Sequence, residues 1–212
     1  MHVPDGFLGP QTWLPAAGVA AAAWSVAARR VRRRLRAETI PALGVTAACC
    51  FGLMLVAIPL PAGASVHATG VAVLALRFGL SASFLAISLV LALQALLLGD
   101  GGVTSLPVTA LALGLGGGAA AVATRRLLSG LGPRAARFGA GWTAVMTAAL
   151  LTGLVLGLQP QLGRDAAGAP LYFPFGWRTV LPALLLPHAV LGLIEGAITV
   201  AALDRLGDRS DA

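Results

Sequence analysis

Residues 56 to 78 read VAIPLPAGASVHATGVAVLALRF, and the way this stretch lies decides the fold. It belongs to an uncharged run from Thr39 to Arg77 that is far too long for one membrane helix, since about 20 residues cross the ~30 Å of hydrocarbon. Pro59, Pro61 and Gly63 should break the run. Residues 62 to 77 then either stay on the outer side or cross as a short helix. The remaining uncharged stretches run from Gly6 to Ala28, Phe78 to Gly99, Gly101 to Thr124, Phe138 to Gly163 and Thr179 to Leu203, the last interrupted only by Glu195. Most of them are long enough to span.

The arginines choose between the two readings. With six spans the 15 basic residues, all arginine, divide 8 against 7 across the membrane. With seven, 13 lie inside (six between 29 and 36, then Arg77, Arg125, Arg126, Arg134, Arg137, Arg205 and Arg209) and only Arg164 and Arg178 lie outside. The positive-inside rule selects seven. The expected fold is an all-α polytopic membrane protein of seven transmembrane helices, one of them short and starting near His67. Its amino terminus is outside and its carboxyl terminus cytoplasmic. The expected organisation is a single unit: an amino-terminal segment (1–12), a helix bundle (13–203) and a cytoplasmic tail (204–212).

Composition agrees. Of 212 residues 58% are hydrophobic and 11% charged, with a mean hydropathy of +0.87, where a soluble domain carries about a quarter charged residues. The net charge of +7 does not point to nucleic acid, because the arginines fall between apolar spans, where they meet anionic lipid. The absence of lysine excludes a Walker A phosphate site and a Schiff-base lysine, so ATP-driven work falls to partners. Cys49 and Cys50, adjacent inside an apolar span, read as buried small side chains rather than a disulfide.

About ten residues separate His67 from cytoplasmic Arg77, roughly half the hydrocarbon thickness at ~1.5 Å per residue, so His67 should lie below the outer surface. A helix that short is tolerable only where its end is packed in protein or lines a cavity. The opening MHVPDGFLGP carries no basic residue of a secretory signal, so Met1 is read as the mature start. Its Pro4, Asp5, Gly6, Gly9 and Pro10 mark a structured turn on the same outer side, from which Met1 and His2 could reach His67.

A free amine followed by histidine is a chelate. The Met1 amine, the deprotonated His2 amide nitrogen and the His2 imidazole close one five-membered and one six-membered ring, and His67 can supply a fourth nitrogen. Four nitrogens in a square favour Ni(II) or Cu(II) over tetrahedral zinc and over oxygen-seeking Mg or Ca, and the lack of thiolate argues against Cu(I). The ion would displace protons from the amine (pKa ~7.7 to 8.0) and the imidazoles (~6.5), so binding should weaken in acid. The plainer readings are a solvated terminal histidine and a His67 that caps the short helix.

MHVPDGFLGP at the start, GASVHATG around His67, LQALLLGDGGVTSL from Leu93 to Leu106 and PHAVLGLIEGAITV from Pro187 to Val200 resemble the CbiM/NikM family, in order along essentially the whole chain. These are the substrate-binding membrane components of cobalt and nickel energy-coupling-factor transporters. The resemblance implies metal ligation by Met1, His2 and His67, with Ni2+ or Co2+ as transported substrate and no permanent cofactor. It implies a multi-pass protein of a bacterial or archaeal cell membrane. It also implies partners: a transmembrane coupling component, two cytoplasmic ABC ATPases and often a small accessory membrane subunit. Thr109 and Ala112 depart from the asparagines expected in many relatives, which bears on the surroundings of the ligands rather than on the ligands.

Four further residues are candidates to surround and orient the ion's ligands: Asp5, Asp100, His188 and Glu195. Asp100, Gly101 and Gly102 read first as a tight turn, with Thr104 or Ser105 capping the next helix. His188, Gly192, Glu195 and Thr199 share a helical face, with Glu195 deep enough that its charge must be paired. A hydrogen-bond role inside the bundle is favoured for Glu195 over direct ligation. Gly44, Ala48 and Gly52 form a small-residue stripe that permits close helix contact. No HExxH pair, carboxylate dyad or second histidine cluster supports a membrane metalloenzyme. The expected function is capture of Ni2+ or Co2+ outside and delivery inward, without covalent chemistry; a structural or assembly subunit is the alternative.

Overall fold

A computed structural model describes residues 2–59 and 65–207. The readings that rest on Met1, Pro61, Gly63, Arg209 and the end of the tail lie outside these residues. Among the described residues are seven helical rods: α1 (Pro10–Arg34), α2 (Ala37–Leu55), α3 (Val71–Phe78), α4 (Leu80–Leu98), α5 (Leu106–Leu127), α6 (Pro133–Gln161) and α7 (Trp177–Leu206). Five of them, α2 and α4 to α7, are long and apolar enough to cross a membrane. The first, α1, opens with Pro10 at its first position and ends in an arginine-rich turn, so its apolar part is shorter than its length. Beyond helices there is one two-residue antiparallel pairing, Ile58–Pro59 (β1) with Ser65–Val66 (β2). The break expected near Pro59 is therefore a hairpin, and α2 stops at Leu55, before the proline.

The short rod is the centre of the bundle. Eight residues rise only about 12 Å, far less than a bilayer. Every residue of α3 except Arg77 is buried, and the helix packs against α2, α4, α5, α6 and α7. That is the protein-packed setting a truncated helix requires. Its start is set by Gly70, held at φ +67°, where a Cβ would also come within 2.6 Å of Cys50 Sγ. Gly79, at φ +87°, ends it and starts α4.

Small side chains let α6 and α7 approach. Ala136, Ala140, Ala144 and Ala148 have no exposed surface, and a Cβ on Gly141 would lie 2.7 Å from the Glu195 carbonyl and 2.8 Å from the Gly196 Cα. Packing without a hydrophobic driving force depends on such contacts. At one end of this pair Asp204 receives Arg134 and Arg137 at 2.9 and 2.8 Å. The small-residue stripe on α2 lies on an outer face: Gly44, Ala48 and Gly52 are exposed, and a Cβ added to either glycine would meet nothing within 4 Å. The face of α2 that packs inward carries Cys50 and Met54 instead. Cys49 is exposed as well, so only one of the two thiols is buried.

Candidate metal centre

The chain's opening residues are pinned inside the bundle at several points. Val3 and Leu8 are buried. The Val3 carbonyl accepts from Gly102 N at 2.9 Å and from the Ser105 hydroxyl, and the Phe7 carbonyl accepts from Phe173 N at 3.1 Å. Gly9 N donates to Gln159 Oε1 at 3.0 Å, and Gln11 Nε2 to the Leu162 carbonyl at 2.7 Å. The segment is thus clamped between the 101–105 turn and the stretch that follows α6, as the proline and glycine punctuation led one to expect.

Asp5 makes the principal lock. Its carboxylate accepts from Val103 N at 3.0 Å, from Thr104 N at 2.9 Å and from the Thr104 hydroxyl. The Thr104 hydroxyl bond, ahead of the backbone bonds, holds the Asp5 pKa below the ordinary carboxylate range. Neither Thr104 nor Ser105 caps α5 from its side chain, contrary to expectation. Asp5, a hundred residues away in sequence, takes the Val103 and Thr104 N–H groups just ahead of the helix, and the two hydroxyls turn toward the amino-terminal segment, Thr104 to the Asp5 carboxylate and Ser105 to the Val3 carbonyl.

Gly102 is where this lock needs space. A Cβ there would meet Asp5 N at 2.5 Å and the Asp5 carboxylate closer still. Gly102→Ala should therefore push the opening segment out of its seat. The expected result is a roughly 10- to 100-fold loss of affinity for whatever ion the segment helps to hold, with helical content unchanged by circular dichroism. An unchanged affinity would show that the seat tolerates the displacement.

The clamp delivers His2 onto His67. Their rings stack with centroids 4.9 Å apart and 22° between planes. His67 is 3% exposed, and its Nδ1 lies 3.2 Å from the Ala68 carbonyl. His2 Nε2 lies 3.0 Å from Gln94 Oε1, and its Nδ1 lies 3.3 Å from Asp100 Oδ2. Burial lowers the His2 pKa to about 4, against the raising pull of Asp100 and Gln94. Burial also holds His67 well below the usual imidazole value, the neighbouring His2 ring adding to the effect. Both rings are neutral at pH 7, as metal ligands must be. Among the described residues no three His, Cys, Asp or Glu side chains stand close enough to hold an ion by themselves. Two imidazoles stand together here, one carried by each of the two segments.

The other candidates divide. Asp100 faces the His2 ring directly. Glu195 touches neither ring. Wholly buried, it accepts from Thr69 N at 2.7 Å, Thr69 Oγ1 at 2.9 Å and Gly70 N at 2.6 Å. It thus holds the two residues between Ala68 and α3 and sets where His67 stands. This is the hydrogen-bond role expected for it, with a carboxylate at the positive end of a helix. His188 is buried on the same α7 face; its Nδ1 lies 2.7 Å from the Leu184 carbonyl, and its Nε2 has no partner among the described residues. Thr109 lines a small cleft with His2, Asp100, Gly101 and Ser105, and its hydroxyl bonds back to the Ser105 carbonyl at 3.2 Å. Ala112 is buried one turn further on.

Gln94 escaped the sequence reading, although it stands in the quoted run LQALLLGDGG. It is fully buried, and it opens a five-residue π-helical turn, Gln94–Leu98, at the end of α4. Such turns frequently mark functional positions. A lone amide inside an otherwise apolar span was the available signal.

The fold has known counterparts. A crystal structure of a truncated transition metal transporter superposes with a TM-score of 0.93 at 33% identity, covering 97% of this chain and 98% of that one. A second transition metal transporter structure gives 0.92 at 33% identity, covering 97% and 92%. The fused nickel transport protein NikMN of Rhodobacter capsulatus is 35% identical over 189 residues, 82% of this chain and 52% of that protein. The chain spans about half the length of such fused relatives. With residues 2–210 matching the family model for the cobalt uptake substrate-specific transmembrane region, CbiM, the chain belongs to that family of cobalt and nickel transport proteins.

Proposed function

We propose that this chain is the substrate-binding membrane subunit of an ATP-driven, energy-coupling-factor-type importer and that it captures Ni2+ or Co2+ from the outer side. The observation that carries this reading is the His2 ring stacked 4.9 Å over His67 at the end of a clamped amino-terminal segment. The ligands are the Met1 amine, the deprotonated His2 amide, His2 Nδ1 and the His67 imidazole. Nitrogen donors in a plane suit Ni2+ and exclude Mg2+ and Ca2+, while cobalt and nickel differ little in ligand preference. Charge supports the assignment. The amidate removes one positive charge from the ion, and the Asp100 carboxylate beside His2 Nδ1 balances the other, so the buried centre is close to neutral. Asp5 anchors the segment and Glu195 anchors the His67 loop. The chain performs no hydrolysis itself; a transmembrane coupling component and two ABC ATPases would drive inward release in the cell membrane of a bacterium or archaeon, with a small accessory membrane subunit in some assemblies.

Isothermal titration of the purified chain with Ni2+ and Co2+ across pH tests this reading. The amide gives up a proton to the ion at every pH, and the amine gives up a second below its pKa of about 7.7 to 8.0. The rings give up none near neutrality, because burial keeps His2 unprotonated down to about pH 4. Affinity should fall roughly 100-fold per pH unit between pH 7 and 6, and only about 10-fold per unit above pH 8. A steeper loss setting in at pH 6.5 would show that the rings are exposed and the site is not the buried one described.

A further inference from the structure

The two nitrogens of the His2 ring are not equivalent for this chemistry. Only Nδ1 can close a six-membered ring with the His2 amide nitrogen; Nε2 lies on the far edge. A neutral imidazole carries one proton, so the ring accepts an ion only while that proton sits on Nε2. The ring lies between two acceptors that compete for it: Gln94 Oε1 at 3.0 Å from Nε2 and Asp100 Oδ2 at 3.3 Å from Nδ1. One proton serves only one of them.

With the amide oxygen turned toward the ring, solvent decides the competition. The Asp100 side chain is 45% exposed, so water can satisfy its carboxylate. Gln94 has no exposed surface. An unpaired buried acceptor costs about 1–3 kcal/mol, a penalty that a half-exposed one escapes. Backbone geometry reinforces the arrangement, since Gln94 begins the π turn and its own carbonyl accepts from Asp100 N at 3.1 Å. One residue therefore positions both groups that face the ring. The Gln94 amide N–H is buried and has no partner among the described residues in this orientation. The reverse orientation would place it against Nε2 and send the ring proton to Nδ1, closing the ring to metal.

We propose that Gln94 is a positioning residue that selects the Nε2–H form of His2 and so presents Nδ1 to the incoming ion. The inference rests on the metal-binding reading and deepens it. It is tested on the full chain in detergent with nitrogen-15 in its histidines, the ring-nitrogen shifts distinguishing the two tautomers in the metal-free protein. Wild type should show His2 as Nε2–H. Gln94→Met, which keeps the shape and removes the acceptor, should move the proton toward Nδ1 and weaken Ni2+ binding roughly 10- to 100-fold. Gln94→Glu keeps an acceptor at the same reach and should retain the Nε2–H form even if Gln94→Met fails to fold. An Nδ1–H ring in wild type or in Gln94→Glu, or an unmoved proton in folded Gln94→Met, would overturn the proposal. The tautomer is read without metal. A wild-type chain that bound no nickel would refute the metal-binding reading while leaving the Gln94 result to stand or fall separately.

Discussion

His2→Ala should lower the affinity of the purified chain for Ni2+ by roughly 1,000-fold, about 4 kcal/mol, whereas His67→Ala should lower it only about 10- to 100-fold. The inequality follows from how the donors are connected. The His2 imidazole is the end of a continuous chelate, tied through the Cβ to an amide nitrogen that is itself tied to the amine. Once one of these nitrogens holds the ion, the next acts at a high effective concentration, and removing it forfeits that advantage. His67 arrives from a separate loop as a single donor, and a water can take its corner of the square. The two rings stack with centroids 4.9 Å apart, and in the proposed site both would bind one ion. Acetylating the amino terminus should match the His2→Ala loss, because it removes the five-membered ring at the other end. Titration calorimetry of the three proteins reads the order directly; equal losses at His2 and His67, or a larger one at His67, would mean that the ion is not held by the chain terminus.

Glu195→Ala should be among the most destabilising single substitutions in the bundle. The side chain is wholly buried and accepts three hydrogen bonds from Thr69 and Gly70. Alanine would leave two backbone N–H groups and a hydroxyl without partners, at about 1–3 kcal/mol each, and would remove the carboxylate from the amino end of α3. A total of about 3–5 kcal/mol should lower the melting temperature by roughly 10 °C for a chain of this size. Glu195→Gln retains one acceptor and most of the shape, so it should fold and lose about a third as much. Its more telling effect is on the site. Thr69 and Gly70 follow His67 by two and three residues, so a loosened loop should cost about 10-fold in Ni2+ affinity although residue 195 touches no ligand. Thermal unfolding in detergent, paired with titration of the Gln variant, checks both parts. Wild-type stability in the alanine variant would remove Glu195 from this role.

The rods were legible because their signal is local. Apolar run length, the break near Pro59 and the charge at Arg77 report on the segment that contains them, and the burial of α3 followed from its being too short to cross alone. The place of His2 was legible for a different reason: proline and glycine in the first ten residues specified a fixed turn. What could not be read were the partners across the chain. Thr104 and Ser105 look like helix caps in any local window, and only the arrival of the amino-terminal segment redirects them, Thr104 to Asp5 and Ser105 to the Val3 carbonyl. Gln94 meets His2 across 92 residues, and nothing in LQALLLG says which of its neighbours turns inward once the helix widens into a π turn. Which face of α2 packs inward is decided by Cys50 against Gly70, a contact between separate segments. Pairings of this kind depend on tertiary distance rather than on pattern.

The account stands or falls on four nitrogens in a plane, two of them from the backbone at the start of the chain. X-ray absorption at the nickel edge of the loaded, purified protein measures this most directly. The account predicts the edge feature of a square-planar ion, with short nitrogen distances and the scattering of two imidazoles, lost in His2→Ala. A six-coordinate spectrum dominated by oxygen, or one unchanged by His2→Ala, would contradict it.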